Sequence, residues 1–219
     1  MSSLEAFSPK GMLHEGWSAQ VDDYAITCGW ALQGKTFLVG DVAGGLYAFE
    51  GKSGKLIWQD KEIHQGGLLA MSIHPDGNTF ATAGQDGRVL IWESKEGKLF
   101  QNLELGKGWV EHINWSPDGK FLAVVFTKYV YVFDGKGQEY WRSEKHPSTV
   151  SAIAWSNSNE LATACYGQVT FFDVVNDKVN QKLEWQGSLV SMVLSPDGDI
   201  VACGSQDNSV HFWLMKSST

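Results

Sequence analysis

A segment of about forty residues recurs along this chain of 219, and that recurrence restricts its fold more than any other feature. Ser116-Pro117-Asp118-Gly119 and Ser195-Pro196-Asp197-Gly198 are the same tetrapeptide, and His74-Pro75-Asp76-Gly77 differs only at its first position. Ala31-Leu32-Gln33-Gly34 and Ser156-Asn157-Ser158-Asn159 are weaker turns in the same phase, the latter expected to use the tolerance of Asn159 for positive φ. The last residues of these turns, Gly34, Gly77, Gly119, Asn159 and Gly198, are 43, 42, 40 and 39 residues apart. A second marker, the aromatics Phe49, Trp92, Phe133, Phe172 and Trp213, has intervals of 43, 41, 39 and 41. Two independent registers therefore describe one repeat.

Each copy reads as four short strands. In the third they are predicted over residues 110–115, 121–126, 129–134 and 138–141. A four-stranded sheet that is apolar on both faces cannot shelter itself from water; sheets stacked around an axis cover one another. The sequence thus predicts an all-β fold, a propeller of about five four-stranded blades. Its 24 glycines and 10 tryptophans suit short strands and tight turns.

A formal charge of −8, with no cluster of Lys and Arg, argues against nucleic acid and anionic membranes as partners. No apolar run reaches the roughly 18 residues that span a bilayer, and no basic-then-apolar leader is visible, so a cytoplasmic location is expected. Cys28, Cys165 and Cys203 are far apart and odd in number, which suits free thiols better than disulfides or zinc.

From about Tyr24 to Trp213 the chain resembles the WD-repeat (WD40) β-propeller family, whose blades carry a Gly-His pair, a Ser-Pro-Asp-Gly turn and a closing Trp-Asp pair. The second copy fits best, with His64, the turn at His74–Gly77, Thr82, Asp86-Gly87 and Trp92-Glu93 in the family's order. The resemblance implies that His64, Thr82, Asp86 and Trp92 form a structural hydrogen-bonded set. The fourth copy keeps His146 and Thr163 but has Tyr166 in place of the Asp; the fifth keeps Asp207 and Trp213, with Trp185 near the His position. A single propeller domain over residues 1–219 is expected, with copies near 18–61, 62–105, 106–143, 144–184 and 185–214. The family usually closes with seven blades, which need roughly 280 to 315 residues. The chain is therefore either a five-bladed ring, which residues 10–17 would close as an outer strand, or a partial propeller whose open end could dimerise.

Catalytic chemistry is not expected. There is no nucleophile elbow, metal-binding His pair or phosphate-cradling loop, and the six histidines are scattered over different copies. Ala48–Trp58 looks like one repeat of the quinoprotein dehydrogenases, but it occurs once and the adjacent-cysteine pair of that family is missing. That leaves a propeller enzyme or a small-ligand binder using the central channel as the alternative; neither cofactor nor metal is expected. The resemblance implies a non-catalytic scaffold that binds proteins or peptides through one face of the propeller. The candidate contacts are Trp17, Trp109 and Trp185 in the connections entering first strands, and Gln85, Arg88, Lys128, Tyr129, Tyr166 and Gln206 at the second-to-third-strand turns.

Overall fold

The computed structural model describes residues 16–215. The first sheet comprises β1 (Ala25–Ala31), β2 (Thr36–Asp41), β3 (Leu46–Glu50) and β4 (Leu56–Asp60). The second comprises β5 (Leu68–Ile73), β6 (Thr79–Gly84), β7 (Arg88–Glu93) and β8 (Leu99–Glu104), and the third β9 (His112–Trp115), β10 (Phe121–Phe126), β11 (Tyr129–Asp134) and β12 (Glu139–Arg142). In all three the strands pair antiparallel in chain order. Among the described residues no helix is long and apolar enough to cross a membrane.

The fourth and fifth copies share one sheet: β13 (Val150–Trp155), β14 (Glu160–Asp173), β15 (Lys178–Leu194), β16 (Ile200–Ser205) and β17 (Val210–Leu214). β14 contains its own reversal at Tyr166-Gly167, where Gly167 takes φ +84°, so that Thr163 faces Thr170. The first part of β15 pairs with β14 as an outer strand, and its last part pairs with β16 as the inner strand of the next copy. The two copies are thus continuous at Tyr166↔Ser188. One expected turn detail differs. Asn159 is not left-handed; the Asn157 side chain instead accepts the amides of Asn159 and Glu160 at 2.9 and 3.0 Å, closing the turn through a side chain.

Side chains alternate across each strand, so every sheet contributes to two apolar layers. Phe80 and Leu90 pack towards Leu38 and Ala48 of the first sheet, while Ala81 and Ile91, one residue along, pack towards Leu122 and Phe133 of the third. Val125 and Val132 meet Val150 and Leu161, and Ala162 and Phe171 meet Leu189 and Val201. Complete burial of a side chain such as Leu122 contributes about 1.5–3 kcal/mol. The interleaved layers are what hold the sheets.

Polar straps reinforce these layers at the outer rim. Trp17 Nε1 donates to the Gly51 carbonyl at 3.0 Å, Trp58 Nε1 to Ser94 O at 3.2 Å, Gln101 Nε2 to Lys136 O at 2.7 Å, and Trp141 Nε1 to Asp177 Oδ1 at 2.6 Å. Each strap reaches the third-to-fourth-strand turn of the following copy. The inner strands β1, β5, β9, β13 and the end of β15 succeed one another, but no comparable layer joins the fifth copy to the first among the described residues. The copies form an arc. At its two ends Trp30 and Cys28 on the first sheet, and Val193, Val210, Phe212 and Leu214 on the last, are exposed.

Candidate interaction face

The face is fixed at the second copy by a buried chain of hydrogen bonds. Asp86-Gly87 turns β6 into β7, and Gly87 sits at φ +72°, where a Cβ would also strike the Gly106 carbonyl. This tight turn places the Asp86 carboxylate 3.0 Å from His64 Nδ1 and within reach of the Gln65 amide at 2.9 Å. His64 Nε2 lies 3.0 Å from Thr82 Oγ1, which accepts Trp92 Nε1–H at 2.9 Å. A neutral imidazole with its proton on Nδ1 satisfies every member: it donates to Asp86 and accepts from the Thr82 hydroxyl. Burial favours that form and lowers the His64 pKa, outweighing the adjacent carboxylate. For Asp86, burial alone would raise the pKa. Hydrogen bonds from Arg88, His64 and the Gln65 amide overcome that and hold it below the usual carboxylate range.

Other copies solve the same problem differently. In the fourth, His146 Nε2 keeps its 3.0 Å contact to Thr163 Oγ1, but Nδ1 turns to the Lys128 carbonyl of the preceding sheet at 3.3 Å, and Phe172 replaces the indole. In the fifth, Trp185 packs at a 39° tilt against His211 with centroids 3.6 Å apart and meets Trp213 edge-on, while Asp207 bonds Ser209 at the surface. The first copy uses a pair that the sequence reading did not single out. Asp41 is fully buried, accepts the Gly45 amide at 2.7 Å and the Tyr47 hydroxyl at 3.0 Å, and Tyr47 in turn accepts the Asp22 amide at 3.1 Å. Burial and the neighbouring carboxylates push the Tyr47 pKa up to about 12, although the Asp22 amide acts in the opposite sense.

The second-to-third-strand turns and the connections entering the first strands lie together on one side. Their backbones are tied: Gln85 N to Gly67 O, Val110 N to Gly84 O, His146 N to Lys128 O and Gln206 N to Ser188 O, all between 2.9 and 3.1 Å. Gln85, Trp109, Lys128, Tyr129, Tyr166 and Gln206 are carried by these segments. Trp109 and Tyr166 stand out, with 54% and 60% of their surfaces exposed. Lys128 Nζ is spent on the Pro147 carbonyl at 3.1 Å, and Gln85 folds against Gly66.

Three expected contacts have other duties. Arg88 grips Asp86 through Nε at 2.8 Å and Nη2 at 2.6 Å and also donates to Ile63 O, so its guanidinium belongs to the buried set. Trp185 is half-buried in the aromatic cluster just described. Trp17 lies at the opposite end of the first sheet, against Phe37 and Phe49, because residues 17–24 run along that sheet before β1 begins. It occupies the strap position of Trp58 and Trp141. Of the anticipated closing strand, residues 10–15 lie outside the described residues, and Gly16 and Trp17 form no strand.

The inner ends of the last three copies border a hollow of about 560 Å³, lined by Ser148, Thr149, Ser151 and Ser188 with Glu111 and His112. Burial lowers the His112 pKa against the pull of Glu111. One carboxylate and one imidazole among hydroxyls do not make the convergent set that channel chemistry would need. Among the described residues no cluster of His, Cys, Asp and Glu could hold a metal ion.

Comparison with known proteins accords with this architecture. The model of the family "WD domain, G-beta repeat" matches residues 59–93 and 178–213. Echinoderm microtubule-associated protein-like 2 of Mus musculus is 25% identical over 87% of this chain and 36% of its own length. Protein HIR1 of Cryptococcus neoformans is 26% identical over 67% of this chain and 20% of its own. Cell division cycle 20.1, cofactor of APC complex, of Arabidopsis thaliana is 28% identical over 58% of this chain and 30% of its own. The chain spans about a third or less of the length of these relatives. A chain in the crystal structure of a mitotic checkpoint complex superposes with a TM-score of 0.80 at 19% identity, covering 91% of this chain and 64% of that one. The two matched repeats and the WD-repeat relatives support a WD-repeat family for this chain.

Proposed function

We propose that the chain is a non-catalytic scaffold that recognises a protein or peptide through the face bearing Trp109 and Tyr166. The observation that carries this reading is the exposure of two large aromatics on segments whose backbones are pinned. An aromatic held rigidly in water loses little further freedom on binding and gains full desolvation, which makes it an effective anchor. The WD-repeat relatives support a protein-interaction role in general; the face and its anchors are inferred from the exposure of Trp109 and Tyr166.

The test is a comparison of three proteins used as bait in quantitative affinity purification: the natural chain, the double variant Trp109→Ala/Tyr166→Ala, and a control, Lys120→Ala/Asp199→Ala, on exposed turns at the other end of the sheets. Partners retained by the natural chain and the control should fall at least tenfold with the double variant, with an unchanged melting temperature. Equal recovery by all three would overturn the assignment.

A further inference from the structure

A groove of about 700 Å³ opens between the third sheet and the fourth copy, running from Asp177 and Phe172 up to His146, Pro147 and Gln168 beside the aromatic face, and neither Trp109 nor Tyr166 lines it. Its origin lies at one position of the repeat. The residue paired with the middle of the second strand is Tyr47, Leu90, Tyr131 and His211 in the first, second, third and fifth copies. In the fourth it is Thr170, facing Thr163 across the hairpin. A small side chain stands where every other copy has a large one, and two positions along, Phe172 replaces the indole of the second copy. The outer strand of the third sheet therefore has less to pack against, and a cleft remains.

The cleft is polar in a specific way. Thr170 is only 3% exposed and its hydroxyl has no partner, although an unpaired buried hydroxyl costs stability. Arg142, Lys145, Lys178 and Lys182 line the cleft with Glu144 and Asp177, in a chain whose net charge is −8; Arg142 lies over the Tyr131 ring and pairs with Glu139, and Lys178 pairs with Asp173, which leaves Lys145 and Lys182. Asp177 is already engaged by Trp141. Lys145 and Lys182 form no ion pair among the described residues. The His146 pKa is lowered chiefly by burial, with Lys182 adding to the effect, so positive charge bears on the buried floor.

From this juxtaposition we infer that the groove between the third sheet and the fourth copy is a second binding site, and that its ligand is a short acidic peptide segment. The unpaired cations stand on two elements, Lys145 on the connection after β12 and Lys182 on β15 opposite Thr170, while the register shift at Phe171/Phe172 turns Lys178 to the other face beside Asp173. A segment with several carboxylates meets both lysines, whereas a single phosphate would engage one. Thr170 supplies a hydroxyl for a carboxylate or backbone carbonyl, and Phe172 an apolar patch for one side chain. A cleft of this volume suits a few residues. Opposite charges would speed the encounter and make it sensitive to salt.

A phage-displayed decapeptide library, selected on the natural chain, tests the inference. Selected peptides should be enriched in Asp and Glu, and their affinity, read by fluorescence anisotropy, should fall at least tenfold in Lys145→Glu/Lys182→Glu and in Thr170→Leu. The leucine variant restores the residue type of the second copy, so it should fold with an equal or higher melting temperature while the groove is filled. The Trp109→Ala/Tyr166→Ala variant should bind the selected peptides as well as the natural chain, which separates this site from the aromatic face. Peptides without acidic bias, affinity unchanged in Thr170→Leu, or a thymidine oligonucleotide of matched charge binding equally well would each overturn it.

Discussion

The second and fifth copies occupy equivalent places in the repeat and are held together by opposite means. In the second, a buried imidazole, hydroxyl, carboxylate and indole satisfy one another, and an arginine closes the set. In the fifth, the imidazole position is Trp185 and the hydroxyl position is Cys203, so the chain of bonds is replaced by rings packed at an angle to one another. The replacement is incomplete: Trp185 Nε1 and Ser205 Oγ are buried without partners. Polar closure fixes directions and punishes the loss of any member; aromatic closure gains from area and tolerates change. The second copy should therefore be rigid and brittle, the fifth looser and more forgiving.

Asp86→Ala should have the largest effect. It strands His64, Arg88 and the Gln65 amide together, and losing one partner of a buried charged set costs about 3–5 kcal/mol, read as a lower denaturation midpoint. Thr82→Val removes a single hydroxyl on which two others depend and should cost about 1–3 kcal/mol by the same measurement. Acidification comes next. The folded state keeps His64 neutral, with its pKa below the unfolded value of 6.5, so stability is fully present above that pH and is lost as pH falls towards the folded value. Asp86, also depressed, adds a second loss below its unfolded value of 3.8. Hydrogen exchange should show β6 and β7 losing protection below pH 6.5 in the natural chain but much less in His64→Gln, where the titrating group is gone. Asp207→Ala, at the matching place in the fifth copy, should move the midpoint by less than about 0.5 kcal/mol, since that carboxylate is exposed and bonds only its own turn. A large loss there would erase the contrast between the copies.

How much of this could be read from residues alone depended on whether a feature lies within one copy or between two. The turn and aromatic registers mark the strands because each is a local signal repeated in phase. His64, Thr82, Asp86 and Trp92 are nameable because they keep the family's order within a single copy. Turn position alone points Arg88 outward, but its carboxylate partner two residues away draws it inward. Asp41 and Tyr47 escaped notice because an aspartate beside a glycine looks like any turn residue until the hairpin closes and buries it. The straps from Trp17, Trp58, Gln101 and Trp141 join different copies, and no spacing within a repeat encodes them. The groove at Thr170 is visible in sequence only after five copies are aligned strand by strand, when one threonine stands in a column of Tyr, Leu and His. The merger of two copies through β15 has no sequence marker among the turns, since only its shortened connection at Trp185-Gln186-Gly187 distinguishes it.

The three thiols divide along the same arc. Cys165 and Cys203 are sealed between layers, and burial pushes the Cys203 pKa up to about 11, which makes it a poor nucleophile at neutral pH. Cys28 lies open on the outward side of the first sheet, next to Trp30. The molecule thus carries its own footprinting reagent for that terminal surface. Any body that seats itself there, whether another copy or further chain, should slow maleimide labelling at one known atom, and the rate at which the label appears becomes a direct clock for how often the end of the arc is bare.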